Sequence, residues 1–293
     1  MKSDFRALAP SGMISVPSFS TEISLPMFFF GTKNVRSKKA FLSPLLVVVF
    51  ILSLGGCETF ASFNKGTGED INDALMQTAR AAEAGGENAV AVGQYQKLYL
   101  KKPKDPEVLL GLARNLRYTG RIKEARVILL ESSELGANEP AFILEFAKAE
   151  IAGGVPIKAV VRLNKARALD PKNWDVYSTL GIAYDMAEQF GEAKGAYDRA
   201  LELSPENPAV INNMAISAAL SGDLDRAIRT LEDSSLIVRK NSQVRQNLAL
   251  LYGLKGDEGK SRSMSRISLD EESVKNNLAV YSKLRGGDLH SQD

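Results

Sequence analysis

The stretch that decides the fold is WDVYSTLGIAYDMAEQFGEAKGAYDRALELSPE, residues 174–206. Tyr177, Leu180, Gly181 and Tyr184 fall at i, i+3, i+4 and i+7, one face of a helix. Ala193, Tyr197 and Ala200 repeat that spacing for a second helix, and between them, around Glu188 to Gly191, the pattern breaks. Pro205 stops the second helix, because proline has no N–H to donate. Small residues at Gly181 and Ala193 let the two helices approach closely.

The unit recurs along the chain. Ala91, Ala125, Ala159, Ala193, Ala227 and then Ser261 are each 34 positions apart. Gly86, Gly120, Gly154, Gly222 and Gly256 share a second column, with Glu188 as its exception. Pro103, Pro171 and Pro205 share a third, where Ala137 and Arg239 depart. One helical hairpin cannot bury its own apolar face, so a fixed period of this length predicts stacked hairpins in an all-α solenoid. Weaker copies begin at Pro106, Pro140 and Pro208, and the flanking units around Ala91 and Ser261 are degenerate, as terminal units are.

These columns resemble the tetratricopeptide repeat, carried here by Tyr177, Leu180, Gly181, Tyr184, Ala193, Tyr197, Ala200 and Pro205. The expectation is a solenoid of about six repeats over residues 70–268. A capping helix is expected at 269–286, opened by Asp270-Glu271-Glu272 and striped by Val274, Leu278, Tyr281 and Leu284. Ile71, Leu75, Ala79 and Ala82 are read as the apolar face of the first repeat helix.

Ahead of the repeats the chain reads differently. Residues 1–26 are polar and aperiodic, an extension that is disordered or lies upstream of a true start at Met27. Lys33, Arg36, Lys38 and Lys39 precede an apolar run from Ala40 to Leu54. That run is shorter than the roughly 20 residues of a membrane span and suits a signal peptide over 27–56. It ends in Leu54-Gly55-Gly56-Cys57, which resembles the bacterial lipobox. The resemblance implies a covalent lipid on Cys57, the single cysteine, whose other reading is a free buried thiol. Glu58 in place of aspartate favours sorting to the outer membrane, with the protein facing the periplasm. Residues 57–69 read as a tether and 287–293 as a polar tail.

Composition excludes several functions. The chain holds 37 Lys+Arg and 35 Asp+Glu, and past residue 56 the balance is 31 to 33, with no basic excess for nucleic acid. The one histidine, His290, lies in the tail, so a catalytic set or metal cluster has no residues to draw on. No cofactor is expected beyond the lipid, and no small-molecule substrate. Residues 253–261 look like a phosphate-binding loop, but Leu254 stands where that motif needs glycine, and Gly256 belongs to the repeat's own column.

What remains is a protein partner. The first helix of each repeat lines the groove of this fold. Its positions give Arg114, Arg117 and Tyr118; then Asp175, Ser178, Ile182, Asp185 and Met186; then Asn212, Ile216, Ala219 and Leu220; then Gln246, Leu250 and Leu254. The stripe Ile182, Met186, Ile216, Leu220 and Leu250 suits an amphipathic partner helix. The competing reading buries these residues between stacked repeats. Asn212 and Asn213 alone hint at a clamp for a C-terminal carboxylate.

From Cys57 to about Arg285 the sequence resembles the TadD-like lipoproteins of tight-adherence (Flp) pilus systems. Ser221-Gly222-Asp223-Leu224-Asp225-Arg226-Ala227, Arg245-Gln246-Asn247-Leu248-Ala249-Leu250 and Asn277-Leu278-Ala279-Val280-Tyr281 carry that resemblance. It implies a non-enzymatic, pilotin-like partner of the pilus secretin. The same anchor and repeats would serve a type IV pilotin, a β-barrel assembly subunit or an adaptor of a periplasmic enzyme.

Overall fold

The structure is a computed structural model, and it describes residues 68–286. Among them are fourteen α-helices and no strand. The signal peptide, Cys57, most of the tether, and the tail with His290 lie outside the described residues.

The described residues fall into two compact units, divided between Ile128 and Leu129. The first holds α1 (Gly68–Ala84), α2 (Asn88–Lys101), α3 (Pro106–Tyr118) and most of α4 (Ile122–Glu131). Its core gathers Ala79, Ala82, Ala91, Val92, Tyr95, Leu98, Val108, Leu112, Leu116 and Ala125. Ile71, expected on the apolar face of α1, is exposed instead; the buried face begins with Leu75. Helix α1 starts two residues inside the expected tether.

The second unit holds the hairpins α5 (Pro140–Ala152) with α6 (Pro156–Leu169), and α7 (Trp174–Met186) with α8 (Phe190–Leu203). Then come α9 (Pro208–Leu220) with α10 (Leu224–Glu232), a short α11 (Ser235–Lys240), and α12 (Ser242–Lys255) with α13 (Glu258–Arg266). The last helix, α14 (Glu271–Gly286), packs on α12 through Leu250, Leu254, Val274, Leu278 and Tyr281. Asp270 caps it by accepting from the Ser273 N–H at 2.8 Å.

Each column of the period has a physical job. The alanines at 91, 125, 159, 193 and 227 are fully buried. Ser261 takes the same place in the last repeat, and its buried hydroxyl donates to the Ala249 carbonyl at 2.7 Å. The glycine column sits where the first helix ends in a left-handed residue, with φ from 73° at Gly154 to 91° at Gly256. Glu188 adopts the same conformation, φ 56°, and is the one non-glycine described residue to do so. The turn geometry is thus set by the hairpin and imposed on whatever residue stands there.

The proline column marks where second helices stop. Helices α2, α6 and α8 end at Lys101, Leu169 and Leu203, each two residues before its proline. Where the proline is missing, the helix is irregular. Helix α4 stops at Glu131, just before Ser132-Ser133, and α10 stops at Glu232, just before Asp233-Ser234-Ser235. Serine and aspartate compete for backbone hydrogen bonds and weaken helix interiors; the Ser234 hydroxyl does so by donating to the Thr230 carbonyl at 3.1 Å.

A further column closes the starts of the first helices. Asp105, Asn173, Asn207 and Asn241, also on the 34-residue ruler, each accept from backbone N–H groups of the helix that follows. Glu139 holds the same place without a side-chain cap. Pro106, Pro140 and Pro208 follow at the first helical position, where no N–H is needed.

Candidate partner-binding face

In the first unit the groove positions are charged and engaged. The Arg114 guanidinium donates to Glu83 Oε1 at 2.8 Å, and the Tyr95 hydroxyl donates to the other Glu83 oxygen at 3.0 Å. Arg117 is buried, its guanidinium 4.4 Å from the centroid of the Tyr118 ring, which is itself exposed.

In the second unit the first helices meet side chain to side chain. Lys148 Nζ donates to Asp175 Oδ2 at 2.6 Å, tying α5 to α7. Asp185 accepts from the Tyr197 hydroxyl at 2.8 Å and from Ser217 Oγ at 2.7 Å, tying α7 to α8 and to α9. Burial pushes the Asp185 carboxyl up to about 6, against the pull of those two hydrogen bonds. Asn247 Nδ2 donates to Asn212 Oδ1 at 2.6 Å, tying α9 to α12.

The expected apolar stripe is not an open surface. Ile182, Ile216 and Leu250 are 6%, 5% and 3% exposed, and Ala219 and Leu254 are buried as well. The reason is clearest at Leu250 and Leu254, which α14 covers with Val274, Leu278 and Tyr281. Ile182 belongs to the core shared by α5 to α8, with Met186 packed at its edge. These three aliphatic residues are corrected from partner surface to interior. Ser178 and Asp185 are buried too, whereas Leu220 and Gln246 are half-buried.

The structure adds a feature that the groove positions did not include. Thr179, Asn213 and Asn247 form their own 34-residue column, beside Ser178, Asn212 and Gln246. Both columns are polar through three successive first helices. Asn247 reaches Asn212, and Gln243 donates to Asn247 Oδ1 at 3.5 Å. Gln246 Nε2 is buried and makes no hydrogen bond among the described residues. The signal was in the sequence, as two columns that are both polar in three repeats, where the earlier repeats pair Met76 with Gln77, Leu110 with Gly111 and Leu144 with Glu145.

The loop-like stretch at 253–261 is a repeat turn. Gly256 is its left-handed residue, Asp257 caps α13 by accepting from the Lys260 N–H at 3.0 Å, and Ser261 is buried. Among the described residues no group of three or more His, Cys, Asp or Glu could hold a metal ion, and no helix is long and apolar enough to cross a membrane.

Known proteins repeat this architecture. A family described as "Tetratricopeptide repeat" matches residues 186–251, the end of α7 through α12. The human protein O-mannosyl-transferase TMTC1 is 24% identical over 219 residues, 72% of this chain. The BBSome complex member BBS4 of Mus musculus is 32% identical over 89 residues, 30% of this chain. The chain spans 25% and 17% of the lengths of those two relatives. Among solved structures, PilW, described as a widely conserved type IV pilus biogenesis factor, superposes with a TM-score of 0.61 at 16% identity, over 72% of this chain and 97% of its own. A thermophilic TPR protein of Thermus thermophilus superposes at 0.57 with 18% identity, over 61% of this chain and 98% of its own. The fold of this chain is therefore the tetratricopeptide-repeat solenoid.

Proposed function

We propose that the protein is a non-enzymatic scaffold, lipid-anchored on the periplasmic face of the bacterial outer membrane, that holds a segment of a secretin during tight-adherence (Flp) pilus assembly. One observation carries this reading: a basic stretch, an apolar run and Leu54-Gly55-Gly56-Cys57 stand ahead of a repeat array. A single acyl chain binds a membrane marginally, whereas the several chains implied by a lipobox cysteine anchor firmly. The repeats then act outside the bilayer as a holder, a role that needs no cofactor beyond that lipid.

With Ile182, Ile216 and Leu250 inside, the holder's chemistry is polar. Half-buried Gln246 and Asp175 offer polar groups at first-helix positions, so the partner segment would be held through hydrogen bonds rather than through an apolar helix face. The sequence match to TMTC1 falls on about a quarter of that enzyme, and the repeats here carry the fold rather than a chemistry.

A second reading keeps the anchor and changes the machine. The likeness of fold to PilW supports an adaptor in type IV pilus biogenesis, and a fold does not fix its partner. A detergent pull-down of the tagged protein from its own envelope separates the two. Recovery of a secretin with tight-adherence components is expected; type IV pilus proteins, barrel-assembly subunits or a murein hydrolase in their place overturn the first reading. Cys57→Ala should leave the outer-membrane fraction, and unchanged fractionation would remove the anchor.

A further inference from the structure

Helix α6 has an apolar face on both sides. Inward, Ala159, Leu163 and Ala166 are fully buried in the core of their unit. Outward, Ile157 and Val161, one turn apart, are 60% and 69% exposed, and exposed Ala168 extends the line. Exposed Lys158 and Lys165 run along one side of this stripe and exposed Arg167 lies on the other. None of the three makes an ion pair among the described residues. The fourth basic residue, Arg162, is spent elsewhere: its guanidinium lies 3.6 Å from the Phe146 ring centroid and pairs with buried Glu150 at 2.9 Å.

The helix contains no acidic residue at all. Helix α2 shares that lack, whereas the two counterparts that follow do not: α8 carries Glu192, Asp198 and Glu202, and α10 carries Asp225 and Glu232. Helix α8 balances its own charge, with Lys194 on Asp198 and Arg199 on Glu202. A single exposed aliphatic residue is ordinary on a protein surface. Two β-branched residues one turn apart, fringed by unneutralised lysines, form a small apolar patch with a basic rim, which suits an anionic membrane surface.

We infer that this face of α6 lies against the anionic headgroups of a lipid bilayer, with Ile157 and Val161 reaching the acyl boundary. A leaflet supplies both things the face lacks, negative charge at its surface and an apolar layer beneath. A second copy of the chain supplies the apolar cover but not the negative charge. A two-fold contact places the same patch on itself and sets lysines against lysines.

The test uses the full chain carrying Cys57→Ser, so that no acyl chain contributes, and vesicles of phosphatidylcholine with or without phosphatidylglycerol. The apolar run at 40–54 is present in every variant, so the contribution of α6 is the difference between variants. By co-sedimentation, Ile157→Asp/Val161→Asp should lose about ten-fold in affinity for the anionic vesicles. Lys158→Glu/Lys165→Glu should lose a similar factor and much of the salt dependence, and neither variant should change on neutral vesicles. Equal sedimentation of parent and both variants overturns the inference. So does a dimer, seen by light scattering, that the aspartate variant dissolves without change in vesicle binding. If circular dichroism finds the aspartate variant unfolded, the lysine variant decides, because its sites touch no core.

Discussion

Two neighbouring repeats solve one packing problem with different chemistry. In the hairpin α7/α8, Tyr197 fills the centre, Gly181 faces its ring, and Asp185 accepts its hydroxyl. In the hairpin α9/α10 the same three columns hold Leu231, Ala215 and Ala219, all buried and all apolar. A methyl group at Gly181 would lie 2.5 Å from the Tyr197 ring, which is closer than real contacts allow. In this hairpin the large ring requires the glycine, and its hydroxyl requires an acceptor. The first repeat keeps the ring and the acceptor, Tyr95 with Glu83, but has Ala79 in the glycine column and sets Gly111 of the next hairpin against the ring, so ring and acceptor vary together while the close glycine can come from another column.

The largest effect should come from breaking one member of the set. Tyr197→Leu leaves a void beside Gly181 and takes a donor from buried Asp185, and should cost about 3 kcal/mol in denaturant unfolding. The triple replacement Gly181→Ala/Asp185→Ala/Tyr197→Leu, which copies the next repeat, should recover most of that loss. A triple variant no better than the single one would dissolve the idea of matched sets.

Next is the carboxyl itself. Asp185 is raised to about 6, so the folded chain holds its proton more tightly than the unfolded chain does. Its contribution favours folding at low pH and is lost as pH rises from about 4 to about 6. Asp185→Asn should match the parent near pH 4 and exceed it above pH 6 by on the order of 2 kcal/mol. The same gain at both pH values would mean that the charge is not its source.

Smaller effects lie at the hairpin ends, which the two repeats also handle differently. Asn207→Ala removes the oxygen that accepts from the Ala209 and Val210 N–H groups and should lower stability by about 1 kcal/mol, read as a shift in melting temperature. Glu188→Gly should do the reverse, raising it by about 0.5 kcal/mol, because α7/α8 forces an L-residue to a left-handed φ that Gly222 adopts freely one repeat later.

These comparisons also explain what the sequence could and could not reveal. The period, the glycine turns and the proline stops were legible because each reports a local backbone demand that few residue types meet. The capping asparagines at 173, 207 and 241 were equally legible, because a helix start favours a side-chain oxygen that accepts from its free N–H groups. The groove was not legible. Ile216 and Leu250 occupy first-helix positions that face a groove, yet whether such a position meets water depends on what stands opposite. For Leu250 that is α14, a helix outside the period altogether. Polar columns such as Thr179, Asn213 and Asn247 carry no such ambiguity of type, but their pairing needs the distance between helices.

The break between α10 and α11 has a consequence for how this array comes apart. In stacked repeats each element leans only on its neighbours, so cooperativity is cut wherever one hairpin is interrupted. Past Asp233 the chain is held to its own continuation by Val238, buried in the core with Val244 and Leu248, and by the buried side chain of Arg245. The Arg245 guanidinium donates to the Val238 and Arg239 carbonyls at 3.1 and 3.0 Å and, through Nε, to Ser268 Oγ at 2.9 Å. The segment from α11 to α14 is thus latched to itself, on a core that α12 shares with α9 and α10. Under native conditions its amides should exchange together, ahead of those in α5 to α9, and the array should fray from this end as one piece rather than residue by residue.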